Sequence, residues 1–267
     1  MINPINTNTP AAGADRAGIG PAGGGTGPSA GQFQGLLKEV IADLQALEQK
    51  LQQSPASAAT PRTAPVPGAN AGAASASAGT GPNTMDVANT TDHAITIGKF
   101  KNGASTTTPS AQVTLQPGQT GALHYENGES GFAAKADAGG VFRPNASRLE
   151  YEADPDGKMK YTDVSYIDGR NASISLTDGG GLSKGDSKSI AGSAPAGTVA
   201  TSAAGDKTIA GWYDGSTASM QAGGTYMQGA LGTSGAYLHP TDDTLGKNQN
   251  PMSATQNATI KASFGDA

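Results

Sequence analysis

The sequence predicts a mainly β protein, an antiparallel β-sandwich preceded by a disordered region that contains one amphipathic helix. Three observations lead there. Apolar residues recur with period two from Met85 onward, turn dipeptides separate those runs, and residues 1–83 consist mostly of small and polar residues around one heptad-spaced stretch. The 267 residues include 39 Gly and 16 Pro. Leu, Ile, Val and Phe together fall well below the one-fifth level that a large single core needs, so much of the chain is expected to be loop or disorder. The expected division is 1–83 and 84–267.

Ala, Gly, Pro, Ser and Thr dominate residues 1–30 and again 54–83, and both stretches are expected to be unfolded. Between them Phe33, Leu37, Val40, Leu44, Leu47 and Leu51 are spaced 4, 3, 4, 3 and 4 apart, a heptad seam that predicts a helix over about 32–53. At ~1.5 Å per residue the seam runs about 27 Å. Pro55 stops it. A lone helix of that length is marginal in water, so it calls for a partner: a second copy of the chain, another protein or the C-terminal domain. Homo-oligomerisation through 32–53 is the expectation carried forward.

Beyond Met85, Ile95 and Ile97, Val113 and Leu115, Leu149 and Tyr151, Val164 and Tyr166, Ile174 and Leu176, and finally Ile260, Ala262 and Phe264 alternate with polar residues, as half-buried strands do. Asn102-Gly103, Pro117-Gly118, Asn127-Gly128, Asp156-Gly157 and Asp168-Gly169 supply the reversals, because Gly tolerates positive φ. No helix pattern interrupts them before residue 179. Residues 179–206 are expected to form a long loop, and Gly211–Gly232, which holds the single Trp, fits neither period.

Composition excludes several functions. A net charge of −5 without any basic run leaves no footprint for nucleic acid. No apolar stretch is long enough to cross a bilayer as a helix, and Met1–Pro10 lacks the basic head and apolar run of a general-secretory signal, so a soluble chain is expected. Zero Cys removes disulfides, thiol nucleophiles and thiolate metal sites together. His93, His124 and His239 show no metal-ligand spacing, and Asp154-Pro-Asp-Gly reads as a hairpin turn rather than a Ca²⁺ loop. No metal and no cofactor are expected.

The carboxylates are more informative. Glycoside hydrolysis uses two carboxyl groups, one holding a proton for the leaving oxygen and one ionised, about 5 to 9.5 Å apart. Glu150 and Asp168 are the candidate acid and base. Asp163 precedes Asp168 by five residues, so the two face one cleft only if the strand bends or ends between them.

The run Ser147 to Leu176, with Leu-Glu-Tyr-Glu-Ala and Tyr-Thr-Asp-Val-Ser-Tyr-Ile-Asp-Gly-Arg-Asn, resembles the central motif of thaumatin-like proteins. Val87–Lys99, Leu115-Gln-Pro-Gly-Gln-Thr, Gly235-Ala-Tyr-Leu-His-Pro-Thr-Asp-Asp and Ala258–Phe264 resemble further pieces of that family in the same order, so the resemblance spans about 85 to 265. Members acting on β-1,3-glucan line a cleft with an Arg, a Glu and three Asp. The resemblance places Glu150 at the Glu and Asp163 and Asp168 at the first two Asp. Lys135 stands at the Arg position and Gly235 at the last Asp, so a bidentate guanidinium grip and one carboxylate are missing there. The implied activity is endo-β-1,3-glucan hydrolysis, or glucan binding without turnover, with Lys135 and Asp163 as the implied substrate-binding residues.

Plant members of that family are held by many disulfides, whereas this chain must hold its sandwich by burial and hydrogen bonding alone. A chain without cross-links suits export in an unfolded state. The flexible, Cys-free, Gly-rich head with its Leu/Gln-rich stretch Gln34–Gln53 resembles the harpins that plant-pathogenic bacteria secrete through type III systems. The combined expectation is an exported elicitor or effector acting at the host interface, whose β-domain engages a plant or microbial cell-wall polysaccharide. A host protein, met by mimicry of a plant defence protein, is the alternative partner.

Overall fold

The computed structural model describes residues 76–246 and 249–267. The helix expected over 32–53, and almost all of the stretches expected to be unfolded, lie outside the described residues. The described part belongs to the unit Ala69–Ala267. Its strands are β1 (Ala76–Gly79), β2 (Asn83–Asn89), β3 (Ile95–Lys101), β4 (Ala111–Leu115), β5 (Thr120–Tyr125), β6 (Ser130–Lys135), β7 (Arg148–Ala153) and β8 (Lys160–Ser165). They continue with β9 (Gly169–Arg170), β10 (Ile174–Thr177), β11 (Ser183–Gly185), β12 (Val199–Thr201), β13 (Lys207–Ala210), β14 (Ser253–Thr255) and β15 (Thr259–Phe264), with one α-helix, α1 (Ala218–Leu231).

Two six-stranded sheets hold most of these strands. One runs β1-β5-β2-β15-β10-β11 and the other β14-β8-β7-β6-β3-β4, while β12-β13-β9 form a small third sheet. The second sheet is antiparallel throughout. The first is mixed, because β1 joins β5 and β15 joins β2 in parallel, which corrects the expectation of an entirely antiparallel body. Strand β1 and the first residue of β2 lie within 54–83, a stretch expected to be unfolded.

Period two is the reason the strands sort as they do. Along β2, Asn83, Met85, Val87 and Asn89 are buried and the residues between them are half-exposed. Met85, Val87, Leu123, Ile174, Leu176, Ile260 and Phe264 from the first sheet meet Ile95, Ile97, Val113, Leu115, Leu149, Tyr151 and Val164 from the second in one apolar core. Burying each such side chain contributes about 1.5–3 kcal/mol, and with no disulfide present this burial and the strand ladders hold the body.

The stretch 179–206, expected as a loop, contains β11 and β12. Backbone pairing with β10 and β13 recruits them, without any apolar alternation of their own. Helix α1 lies in the stretch that fitted neither period. Thr217 caps it by accepting from the Met220 N–H at 3.2 Å. Its buried face is Gly223, Gly224 and Met227, so glycine rather than an apolar stripe makes the contact.

Candidate acidic groove

The outward face of the antiparallel sheet carries the site. Strand register sets Phe100 of β3 opposite Phe132 of β6, Phe132 opposite Glu150 of β7, and Glu150 opposite Asp163 of β8. One row across four strands is therefore aromatic in its first half and acidic in its second. Phe100 and Phe132 stack with ring centroids 4.8 Å apart, and Phe142 meets Phe100 edge-on at 5.2 Å. Phe132, Arg148, Glu150, Tyr161, Asp163 and Met252 line a groove of about 230 Å³.

Asp163 is 1% exposed, and its Oδ1 has no hydrogen-bond partner among the described residues. Burial, reinforced by the facing Glu150 carboxylate, pushes its pKa up to about 8. Glu150 is raised as well, first by burial; Asp168 adds to the effect and Arg148 opposes it. Burial and the facing carboxylate both oppose ionisation, so the pair holds a proton at neutral pH.

Strand β8 ends at Ser165, and the chain turns through Asp168-Gly169. Gly169 has φ 153°, and a Cβ there would collide with the Asn145 carbonyl oxygen, so the turn requires glycine. It brings the Asp168 Oδ2 to 2.9 Å from the Arg148 guanidinium. Burial raises the Asp168 pKa and Arg148 offsets part of that rise. The strand end thus solves the facing problem, and Glu150, Asp163 and Asp168 form one cluster.

Lys135 does not join them. It lies three residues after Phe132 on β6, hence on the other face, and its Nζ sits 3.9 Å from Asp206 Oδ1 in a separate cavity. The cation of the groove is Arg148, whose guanidinium also lies 4.5 Å over the Phe132 ring. Sequence reasoning missed it, although its position two residues before Glu150 gives it the same face. Gly235 offers no side chain and donates nothing to the groove; its carbonyl accepts from the Gly185 N–H at 2.7 Å.

The segment that follows closes one flank. Tyr237 pairs with the end of β8 beside Ser165, and its phenol is pushed up to about 12 by burial and then by Asp163, Asp243, Glu150 and Asp242. Nearer Asp168, the Tyr213 N–H donates to the Ile167 carbonyl at 2.7 Å. Tyr213 is 54% exposed with φ 41°, the one non-glycine with positive φ among the described residues. Trp212 packs on His239 with centroids 4.5 Å apart. No group of three or more His, Cys, Asp or Glu suited to a metal ion occurs among the described residues.

No protein-family model matches the chain, and no curated protein matches it. Among solved structures it is similar to the crystal structure of the protein elicitor MoHrip2 from Magnaporthe oryzae. Identity is 14%, the match covers 68% of this chain and 98% of that one, and the TM-score is 0.37.

Proposed function

We propose that the β-domain is a thaumatin-like module that binds a cell-wall glucan in the acidic groove, and that the whole chain is an exported, harpin-like elicitor of a plant-associated bacterium. The observation that carries the binding reading is the single row Phe132–Glu150–Asp163 with Arg148 and Asp168 beside it. A sugar ring presents an apolar C–H face and a rim of hydroxyls. The Tyr161 ring that lines the groove suits the face, and the carboxyls and guanidinium suit the rim. The export part rests on the composition of residues 1–83 and the lack of Cys.

A second reading, endo-β-1,3-glucan hydrolysis, is favoured by the carboxyl pair that holds a proton beside a third acid. It moves the acid role expected of Glu150 onto the Glu150–Asp163 pair. It also leaves Asp168 as the candidate base, engaged by Arg148. Pull-down on insoluble β-1,3-glucan together with reducing-sugar release from laminarin separates the readings. Binding without sugar release is the expected result. Release that disappears in Glu150→Gln while pull-down persists establishes the hydrolase, and failure of both leaves a host protein as the partner.

A further inference from the structure

Three lysines are buried among the described residues: Lys99, Lys135 and Lys160. Two have their ammonium groups satisfied. Lys99 Nζ donates to Glu129 at 2.6 Å and to the His124 carbonyl at 2.8 Å, and Lys160 Nζ donates to the carbonyls of Gly157 and Gln256 at 2.8 and 3.2 Å. Lys135 differs. Its side chain is 4% exposed, its Nζ makes no hydrogen bond to a described residue, and Asp206 Oδ1 at 3.9 Å is beyond hydrogen-bond reach. The other oxygen of Asp206 is engaged by the Ala138 N–H at 2.6 Å and the Ser202 hydroxyl at 3.3 Å. Asn171, which also lines the site, spends its amide on the Lys135 carbonyl at 3.0 Å.

Lys135 borders a cavity of about 580 Å³ that shares no lining residue with the acidic groove. We infer that Lys135 is a carbonyl-reactive amine, whose Nζ condenses with a small uncharged hydroxyaldehyde admitted to this cavity to form an imine. An ammonium largely withdrawn from water and holding few partners gives up its proton more readily than one in bulk water. Burial accordingly lowers the proton affinity of Lys135, and Asp206 and Asp266 restore part of it. Those two carboxylates disfavour an anionic occupant, while they and Ser189 offer partners to hydroxyls. At 3.9 Å from Nζ, Asp206 takes the released proton only through one bridging water.

The step balances without an oxidant. The nitrogen lone pair attacks the carbonyl carbon, the carbonyl π pair moves to oxygen, and a proton passes from nitrogen by way of Asp206 to that oxygen. The carbinolamine hydroxyl then takes a proton and leaves as water while the nitrogen lone pair closes the C=N bond, and the remaining N–H proton passes to Asp206. The net change is amine plus aldehyde to imine plus water.

The test is reductive trapping on the full chain at pH 7.5 with glycolaldehyde and cyanoborohydride, followed by peptide mass mapping over time. Lys135 is expected to gain its hydroxyethyl group faster than exposed Lys158 in the folded chain. In denaturing urea that advantage should vanish. Lys135 labelling no faster than Lys158 in the folded chain overturns the inference, as does an advantage that survives in urea. Because the comparison is internal to the unmutated chain, it does not depend on a variant folding, and it is independent of glucan binding.

Discussion

The proton held by Asp163 and Glu150 ties the groove to the stability of the body. A carboxyl whose pKa rises on folding, here from 3.8 to about 8, binds protons more tightly in the folded chain. Its contribution is complete below the unfolded value and is lost as pH climbs through the window between about 4 and 8. Asp163→Asn is therefore expected to flatten the fall in urea midpoint between pH 5 and pH 8, and to stabilise the fold at pH 8 by about 1–3 kcal/mol. An unchanged slope in the variant would place the titration elsewhere. Arg148→Met should act in the opposite sense, because it removes the cation 2.9 Å from Asp168. The loss is expected to be larger at pH 8 than at pH 5, by about 1–3 kcal/mol, and Asp168 should titrate at higher pH by carboxyl NMR.

At the scale of elements, helix α1 is held on β13 by absence of side chains. A Cβ at Gly223 would collide with the Ala210 carbonyl, and one at Gly224 would lie 2.6 Å from the Trp212 ring. Gly223→Val should lift the helix and cost about 2–4 kcal/mol in denaturant unfolding. Gly229 lies in the same helix with nothing within 4 Å, and Gly229→Ala should stabilise by about 0.5–1 kcal/mol. The same helix shows where reading by periodicity stops. Strands β4, β7, β10 and β15 announce themselves because one face of each is buried and the other is not, and β3 through the alternating Ile95 and Ile97 of its core face. Strand β6 is buried on nearly every residue, so no alternation marks it. Strand β1, Ala-Ser-Ala-Gly, owes its existence to the backbone of β5, and a helix that packs through glycines has no apolar stripe to detect.

Taken as a whole molecule, the body places chemistry on two unconnected surfaces, an acidic groove on the outer face of one sheet and a lysine-bearing cavity. Most of the groove was legible, since Glu150, Asp163 and Asp168 converge once β8 ends before the Asp168 turn. Strand parity alone would have corrected the rest: Lys135 is an odd number of residues from Phe132 and turns away, whereas Arg148 is an even number from Glu150 and faces it. What parity cannot supply is depth, and Asp163 owes its high pKa to burial on the outward face that no strand pattern announces. The most direct test is an NMR titration of the full chain with a laminarin hexasaccharide. Amide shifts confined to Phe132, Arg148, Glu150, Tyr161, Asp163 and Asp168, and lost in Glu150→Gln/Asp163→Asn, are predicted. Shifts that map elsewhere on the body, or none at saturating sugar, would contradict the groove as a glucan site.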